Sequence, residues 1–283
     1  MRFLPFAIAL ALTACATVEP PPPPAAPQHG DAQYQPTVGQ SGKDVVWVPT
    51  SDAMAESMLR MADVKPTDLV FDLGAGDGKI AIAAAKKFGA NAVGIEYNKE
   101  MADLAARNVV RAGVGDKVRI IHGDIFIEDF SNATVLTMYL LPHLNLKLRP
   151  TILKMRPGTR VVTNSFNMGD WEPDAFIGTT YPSGFYYVVP ADAAGKWNVS
   201  GIDGATSATL NLVQRYQRVG GTLTIDGKEQ IILGPTLTGD RLKFSFLDPK
   251  GQSRAAEVTV KGNSFAGKVM ENSPLYDIAG TRN

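Results

Sequence analysis

Residues Asp72-Leu73-Gly74-Ala75-Gly76-Asp77-Gly78 put two carboxylates on a glycine-rich bend, between the apolar run LVF and the alanine-rich stretch KIAIAAAKKF. Glycine lets the backbone pass close to a ligand with no Cβ in the way, and a helix beginning just after the bend offers free N–H groups. Farther on, Glu96 closes the run AVGIE, and Asp124-Ile125 follows KVRIIHG. A carboxylate at the first of these can accept both hydroxyls of a ribose, and one at the second can accept from an exocyclic amino group. Dinucleotide sites favour G-x-G-x-x-G, whereas this chain reads G-x-G-x-G with Asp72 before it and Asp77 inside it. Acidic groups there repel a pyrophosphate and attract a ligand carrying a sulfonium and an ammonium.

The elements around these residues follow from hydrophobic periodicity. SDAMAESMLRMADV spaces Met54, Met58, Leu59 and Met61 as a helical core stripe, with Ser51 and Asp52 as caps. LVFDL, AVGIEY, KVRIIHGDIF, ATVLTMYLL and TRVVTNSF read as short buried strands. Between them KIAIAAAKKF, KEMADLAARNVVRAG and NLKLRPTILKM read as helices. Strands alternating with helices of this length predict right-handed βαβ units, a parallel sheet and an α/β, Rossmann-like doubly wound domain. Such folds bind ligands at the carboxyl edge of the sheet, where the bend, Glu96 and Asp124 all fall.

FDLGAGDGKI, GIEYN, HGDIF and RPGTRVVTNSF together resemble the motifs of class I, seven-β-strand S-adenosylmethionine-dependent methyltransferases. WVPTSDAMAESMLRMADV and TVLTMYLLPHLNLKLRPTILKMRPGTRVV are similar to a branch of protein-lysine methyltransferases that includes mitochondrial enzymes. The resemblance implies S-adenosyl-L-methionine as cofactor and places Asp72, Gly74, Gly76, Asp77 and Gly78 under its methionine end. It implies Glu96 at the ribose and Asp124 with Ile125 at the adenine. Tyr139, Pro142 and Asn145 follow the fourth strand, where the superfamily places acceptor-side groups, and Tyr139 leads as the catalytic candidate. A protein lysine is the acceptor the resemblance favours over a small molecule. Trp171 is either an acceptor-channel wall or a plug at a domain junction.

From residue 175 onward the pattern changes to alternation in GFYYVVP, ATLNLVQRY, GGTLTIDG, RLKFSFL, AEVTVKG and NSFAGKV. Asp226-Gly227, Gly239-Asp240 and Gly262-Asn263 punctuate these runs as hairpin turns. A smaller antiparallel β domain, barrel or sandwich, is predicted over residues 175–283. It either shapes the acceptor site, binds a partner or is a structural appendage. No metal spacing is found.

Residues 1–15 combine Arg2, an apolar stretch of about ten residues and Leu12-Thr13-Ala14-Cys15. They resemble a bacterial lipoprotein signal with lipidation at Cys15, implying a lipid anchor in the cell envelope, facing the periplasm at the outer membrane. Cys15 is the chain's one cysteine, so no thiolate nucleophile or disulfide is expected beyond it. Residues 16–43, with five consecutive prolines, are predicted to be an extended tether, leaving the methyltransferase domain to residues 44–174. Lys plus Arg and Asp plus Glu both number 28 of 283 residues, which argues against a nucleic-acid partner. Export and a cytoplasmic cofactor sit awkwardly together. A non-catalytic envelope protein that binds an adenosyl ligand or a protein partner is therefore the alternative.

Overall fold

The computed structural model describes residues 29–178, 184–270 and 276–283, so Cys15, the lipobox and the proline run lie outside the described residues. Helix α1 (Asp52–Met61) starts where Ser51 accepts the Met54 N–H on its hydroxyl at 3.2 Å, and it buries Met58 and Leu59. Strand β1 (Leu69–Leu73) then leads through the glycine bend into α2 (Lys79–Phe88). Next come β2 (Asn91–Glu96), α3 (Lys99–Ala112), β3 (Val118–His122), β4 (Val135–Met138), α4 (Pro142–Ile152) and β5 (Arg160–Asn164). Asn98 caps α3 by accepting the Met101 N–H at 2.9 Å. Pro142 opens α4, where its missing N–H costs nothing.

The first five strands pair in parallel in the order β3-β2-β1-β4-β5. From β1 the chain runs outward to β2 and β3, then crosses back to β4 and β5 on the other side. That reversal leaves a crevice at the carboxyl ends of β1 and β4. Two apolar cores cover the sheet, one holding Met58, Leu59 and Ile80, the other Leu73, Leu136, Met138 and Trp171.

Two strands assigned by sequence to the second domain belong to this sheet. Strand β7 (Gly184–Val188) pairs antiparallel with β5, and β6 (Ala175–Ile177) pairs antiparallel with β7, completing seven strands. The sheet therefore continues past residue 174, and the change of architecture falls between Val188 and Gly195. The signal was present in GFYYVV, an unbroken apolar run. Such runs mark strands buried on both faces, whereas barrel strands alternate.

The remaining strands are β8 (Gly195–Ser200), β9 (Ala208–Arg215), β10 (Arg218–Ile225), β11 (Lys228–Ile231), β12 (Leu233–Thr238), β13 (Arg241–Leu247), β14 (Ser253–Lys261), β15 (Ser264–Met270) and β16 (Tyr276–Arg282). They form a nine-stranded antiparallel sheet in which the last strand, β16, pairs with the first, β8. Its two ends, β11 and β12, are separated only by Ile232, whose N–H donates to the Gly221 carbonyl of β10 at 3.1 Å. Leu233 is in register with Ser245 of β13, and the Gln230 amide exchanges two bonds, 2.7 and 2.8 Å, with the Leu247 backbone. One kinked stretch thus meets β10 with its first half and β13 with its second, drawing the sheet into a near-closed barrel. Trp197, Leu210, Phe244, Phe246 and Val258 fill the interior. Asp248 and Arg254 form a buried ion pair at 2.8 Å.

Candidate active site

The bend after β1 is shaped by backbone that only glycine adopts without strain. Gly74 and Gly76 have φ of 79° and 55°. Both Gly74 and Ala75 donate their N–H to the Ile95 carbonyl at 2.9 Å, folding the loop back over the end of β2. Glu96 completes the fold: one carboxylate oxygen accepts the Gly76 N–H and the other the Asn98 N–H, both at 2.9 Å. Asp72 points into the same crevice from the end of β1, accepting the Thr137 hydroxyl at 2.8 Å.

Burial crowds these acids. Asp72 is 3% exposed, and its carboxyl is pushed up to about 7 by burial, with the charges of Asp77 and Glu96 adding to the push and the Thr137 hydrogen bond opposing it. Burial also raises Glu96, against the pull of the Asn98 and Gly76 N–H groups. Concentrated negative potential of this kind is relieved by a cation. Asp124 differs: Lys43 approaches to 2.5 Å and, with the Phe126 N–H, holds its carboxyl below the ordinary value.

Lys43 belongs to a strap that sequence reasoning left out of the site. Residues 29–50 run across α3 and then over the crevice. Asp31 grips Arg107 and Arg111 of α3 at 2.7 to 3.2 Å, and these two arginines hold its carboxyl well below the usual carboxylate range. The His29 ring meets Trp47 edge-on at 5.4 Å, and Trp47 exchanges backbone bonds with Gly39 and Gln40. A Cβ on Gly76 would lie 2.8 Å from the Trp47 indole nitrogen, so the bend and the strap are built against one another. Lys43 also sits 4.8 Å over the Tyr97 ring. The part of the predicted tether from residue 29 to residue 43 is docked on the domain in this way. The apolar run Val45-Val46-Trp47-Val48, at the end of an otherwise polar segment, was the available signal.

Strap, bend and strand ends line an open-mouthed cavity. Asp72, Gly74, Gly76, Asp77, Glu96, Asp124, Ile125 and Tyr139 all line it, joined by Leu140 and Leu144. Gly78 does not line it. At φ 82° it begins α2, and a Cβ there would meet that of Ala105 on α3 at 3.2 Å, so it serves helix packing. Pro142 and Asn145 do not line the cavity either. Pro142 is exposed at the start of α4, whereas Asn145 is fully buried and donates to the Phe166 and Asn167 carbonyls at 3.1 and 3.3 Å. Leu144 takes the cavity-facing position on this turn, and Asn145, one residue and about 100° farther round the helix, faces the loop after β5. Trp171 is at the domain junction, buried between Tyr187 and Tyr216. Among the described residues no group of His, Cys, Asp and Glu could hold a metal ion.

A parallel sheet with this reversal, closed by an antiparallel strand and carrying an acidic glycine bend, defines the class I fold of S-adenosylmethionine-dependent methyltransferases. The residues fit that cofactor: the bend leaves no room for side chains, and the cavity offers carboxylates to a ligand with two cationic centres. A family profile described as the ANTKMT methyltransferase domain matches residues 72–175. The protein-lysine N-methyltransferase of Saccharolobus islandicus is 43% identical over 135 residues, covering 47% of this chain and 84% of that one. The mouse adenine nucleotide translocase lysine N-methyltransferase is 30% identical over 135 residues, 47% of this chain, which spans only 58% of that relative's length. A crystal structure of an RNA methyltransferase from Salinibacter ruber with S-adenosyl-L-homocysteine is 43% identical with a TM-score of 0.50, covering 51% of this chain and 95% of that one. The chain belongs to the class I S-adenosylmethionine-dependent methyltransferases, in the family of the Saccharolobus protein-lysine N-methyltransferase.

Proposed function

We propose that the protein transfers a methyl group from S-adenosylmethionine to a lysine side chain of another protein. The observation that carries this reading is the acidic, glycine-lined cavity in a domain 43% identical to an archaeal protein-lysine N-methyltransferase. The cofactor supplies a methyl group already activated by its sulfonium. The chain's own task is alignment, exclusion of water and proton handling. Asp72 and Asp77 would hold the ammonium end, Glu96 would hold the ribose while keeping the Gly76 N–H, and Asp124 with Ile125 would hold the adenine. Tyr139 offers its hydroxyl on the acceptor side, beside Leu140 and Leu144, which keep the approach apolar. A lysine acceptor would have to lose its proton to solvent before attack, and the Tyr139 hydroxyl could then accept a hydrogen bond from the neutral amine and orient it. The balance of 28 basic and 28 acidic residues supports a protein over an RNA acceptor.

The deciding experiment incubates the purified chain with methyl-labelled cofactor and, separately, bulk cell protein or bulk RNA. Label in protein, recovered as methyl-lysine after hydrolysis and absent with Glu96→Ala, is the expected result. Label in RNA alone would replace the lysine acceptor. Cofactor binding without transfer to either would turn the reading to a binding protein. The proposal extends to the envelope: Arg2, the apolar stretch and Leu12-Thr13-Ala14-Cys15 support acylation of Cys15. Intact-mass measurement of membrane-extracted protein tests it, with an unmodified Met1 start as the contrary outcome.

A further inference from the structure

The barrel meets the methyltransferase domain at two hairpin tips: the β12–β13 turn lays Gly239 against Gly158 and Val188, and the β9–β10 tip, which is strained, reaches the loop after β5. Strands β9 and β10 are joined by Tyr216-Gln217, with Tyr216 at φ 53°. A bulky residue in the left-handed region persists only where its surroundings hold it there. Four consecutive tip residues reach into the loop that follows β5. Arg215 pairs with Asp170 at 2.8 Å, and the Tyr216 hydroxyl lies 3.1 Å from the same carboxylate. Gln217 donates to the Glu172 carbonyl at 2.6 Å, and Arg218 pairs with the Glu172 side chain. The Tyr216 ring stacks on Trp171 at 6.2 Å and packs against the core of the α/β sheet, not that of its own barrel.

The gripped loop ends at the acceptor side of the cavity. From the sheet domain, Arg149 holds the Met168 carbonyl at 2.7 Å and Asp170 at 2.5 Å. Ser165 is itself left-handed, at φ 62°, which turns Phe166 back across the end of β5. The Phe166 carbonyl takes the Thr163 hydroxyl at 2.6 Å and the Asn145 amide at 3.1 Å. Its ring stacks on Tyr139 at 6.4 Å with 29° between planes. Tyr139 lines the cavity. A continuous chain of contacts therefore runs from the hairpin tip through Asp170 and Trp171 to Phe166 and Tyr139.

We propose that the β9–β10 hairpin tip is a positioning element for the methyl-acceptor wall, with Tyr216 and Arg215 acting as positioning residues through the loop of residues 165–174. This rests on the lysine-methyltransferase reading for its kinetic consequence, and on the geometry alone for its mechanical one. The glycine bend and strap lie on the other side of β4 and share no bond with the tip, so acceptor positioning and cofactor binding should separate.

Two measurements on the full chain test it. Hydrogen exchange of Tyr216→Ala is expected to show lost protection in residues 163–174, with residues 72–79 and strands β13–β14 unchanged. Methyl transfer to bulk cell protein at saturating cofactor is expected to fall about tenfold, with cofactor affinity by calorimetry within about twofold. Tyr216→Phe keeps the ring and should restore most of the rate. Arg215→Ala, at a solvent-exposed side chain, gives a smaller loss in the same direction and serves if Tyr216→Ala does not fold. Lys250→Ala, which removes a surface pair with Asp203 elsewhere on the barrel, should change neither readout. Unchanged exchange in residues 163–174, or full transfer by folded Tyr216→Ala and Arg215→Ala, would overturn the proposal. So would an equal loss of cofactor affinity. If the wild-type chain methylates no protein, the lysine reading fails, and the exchange result still decides whether the tip holds the wall.

Discussion

Replacing Asp72 with Asn tests whether the cavity is an electrostatic device for a cation. In the protein without ligand, burial raises this carboxyl from 3.8 to about 7, which corresponds to roughly 4 kcal/mol of added cost for charging it, an upper bound since relaxation and water entry reduce it. The sign follows from the direction. A carboxyl whose folded value lies above its unfolded value contributes stability that is fully present below about pH 4 and is lost as pH rises through about 7. Between about pH 4 and 7 the wild type should therefore lose stability from this group, with no further loss from it at higher pH. Asp72→Asn should not, because its side-chain oxygen still accepts the Thr137 hydroxyl while no charge develops. Above pH 8 the variant should be the more stable protein by about 1–3 kcal/mol. Its cofactor affinity should fall about 10- to 100-fold, the worth of one charge-assisted bond. Wild-type affinity should itself weaken as pH drops below 7, since the carboxyl must release a proton before it can hold the ammonium. Thermal melts from about pH 4 to 8.5, paired with calorimetry using S-adenosylmethionine, measure both effects. Parallel stability profiles for the two proteins, together with unchanged binding in the variant, would refute the reasoning.

Other outcomes follow from the strap, the bend and the barrel. Lys43→Ala releases Asp124 from its ion pair, so cofactor affinity by calorimetry should rise by up to about fivefold. Trp47→Ala removes the indole that faces Gly76; cofactor dissociation in stopped-flow should quicken about tenfold, the cost of roughly 1.4 kcal/mol of lost cover. Gly76→Ala must fit a Cβ 2.8 Å from that same indole at φ 55°, and cofactor binding should fall below detection while the melting temperature drops by only a few degrees. Asp248→Ala takes away the carboxylate partner of buried Arg254 and should destabilise the barrel by about 3–5 kcal/mol in urea, with cofactor affinity unchanged under native conditions.

That the residues read for the cofactor would gather at one edge of the sheet was legible, because they lie in short local strings. Asp72 to Asp77, Glu96 and Asp124-Ile125 each end a strand, and parallel pairing brings strand ends to one edge whatever the rest of the chain does. The acceptor half was read less well. Tyr139 does reach the cavity, but on the first turn of α4 it is Leu144 that faces it, while Pro142 faces solvent and Asn145 the loop after β5. Gly78 looked like part of the cradle because its spacing continues the pattern; only the approach of Ala105 from α3 shows what the missing side chain is for. The assignment of GFYYV to the second domain failed for a related reason, since a strand's pattern reveals how many faces it buries but not which sheet it joins.

By itself, the amino-acid order determined the α/β class, the acidic glycine bend, the adenosyl-cation preference and an antiparallel domain to follow, since each depends on interactions within a few residues or on a periodicity. Tertiary structure alone decided that the strap roofs the cavity, that Lys43 occupies Asp124, and that a barrel hairpin grips the loop behind Tyr139. The Lys43 and Arg215 pairings join residues 81 and 45 positions apart. Over such separations the partner of a charged or aromatic side chain is set by how whole elements pack, and no local spacing encodes it.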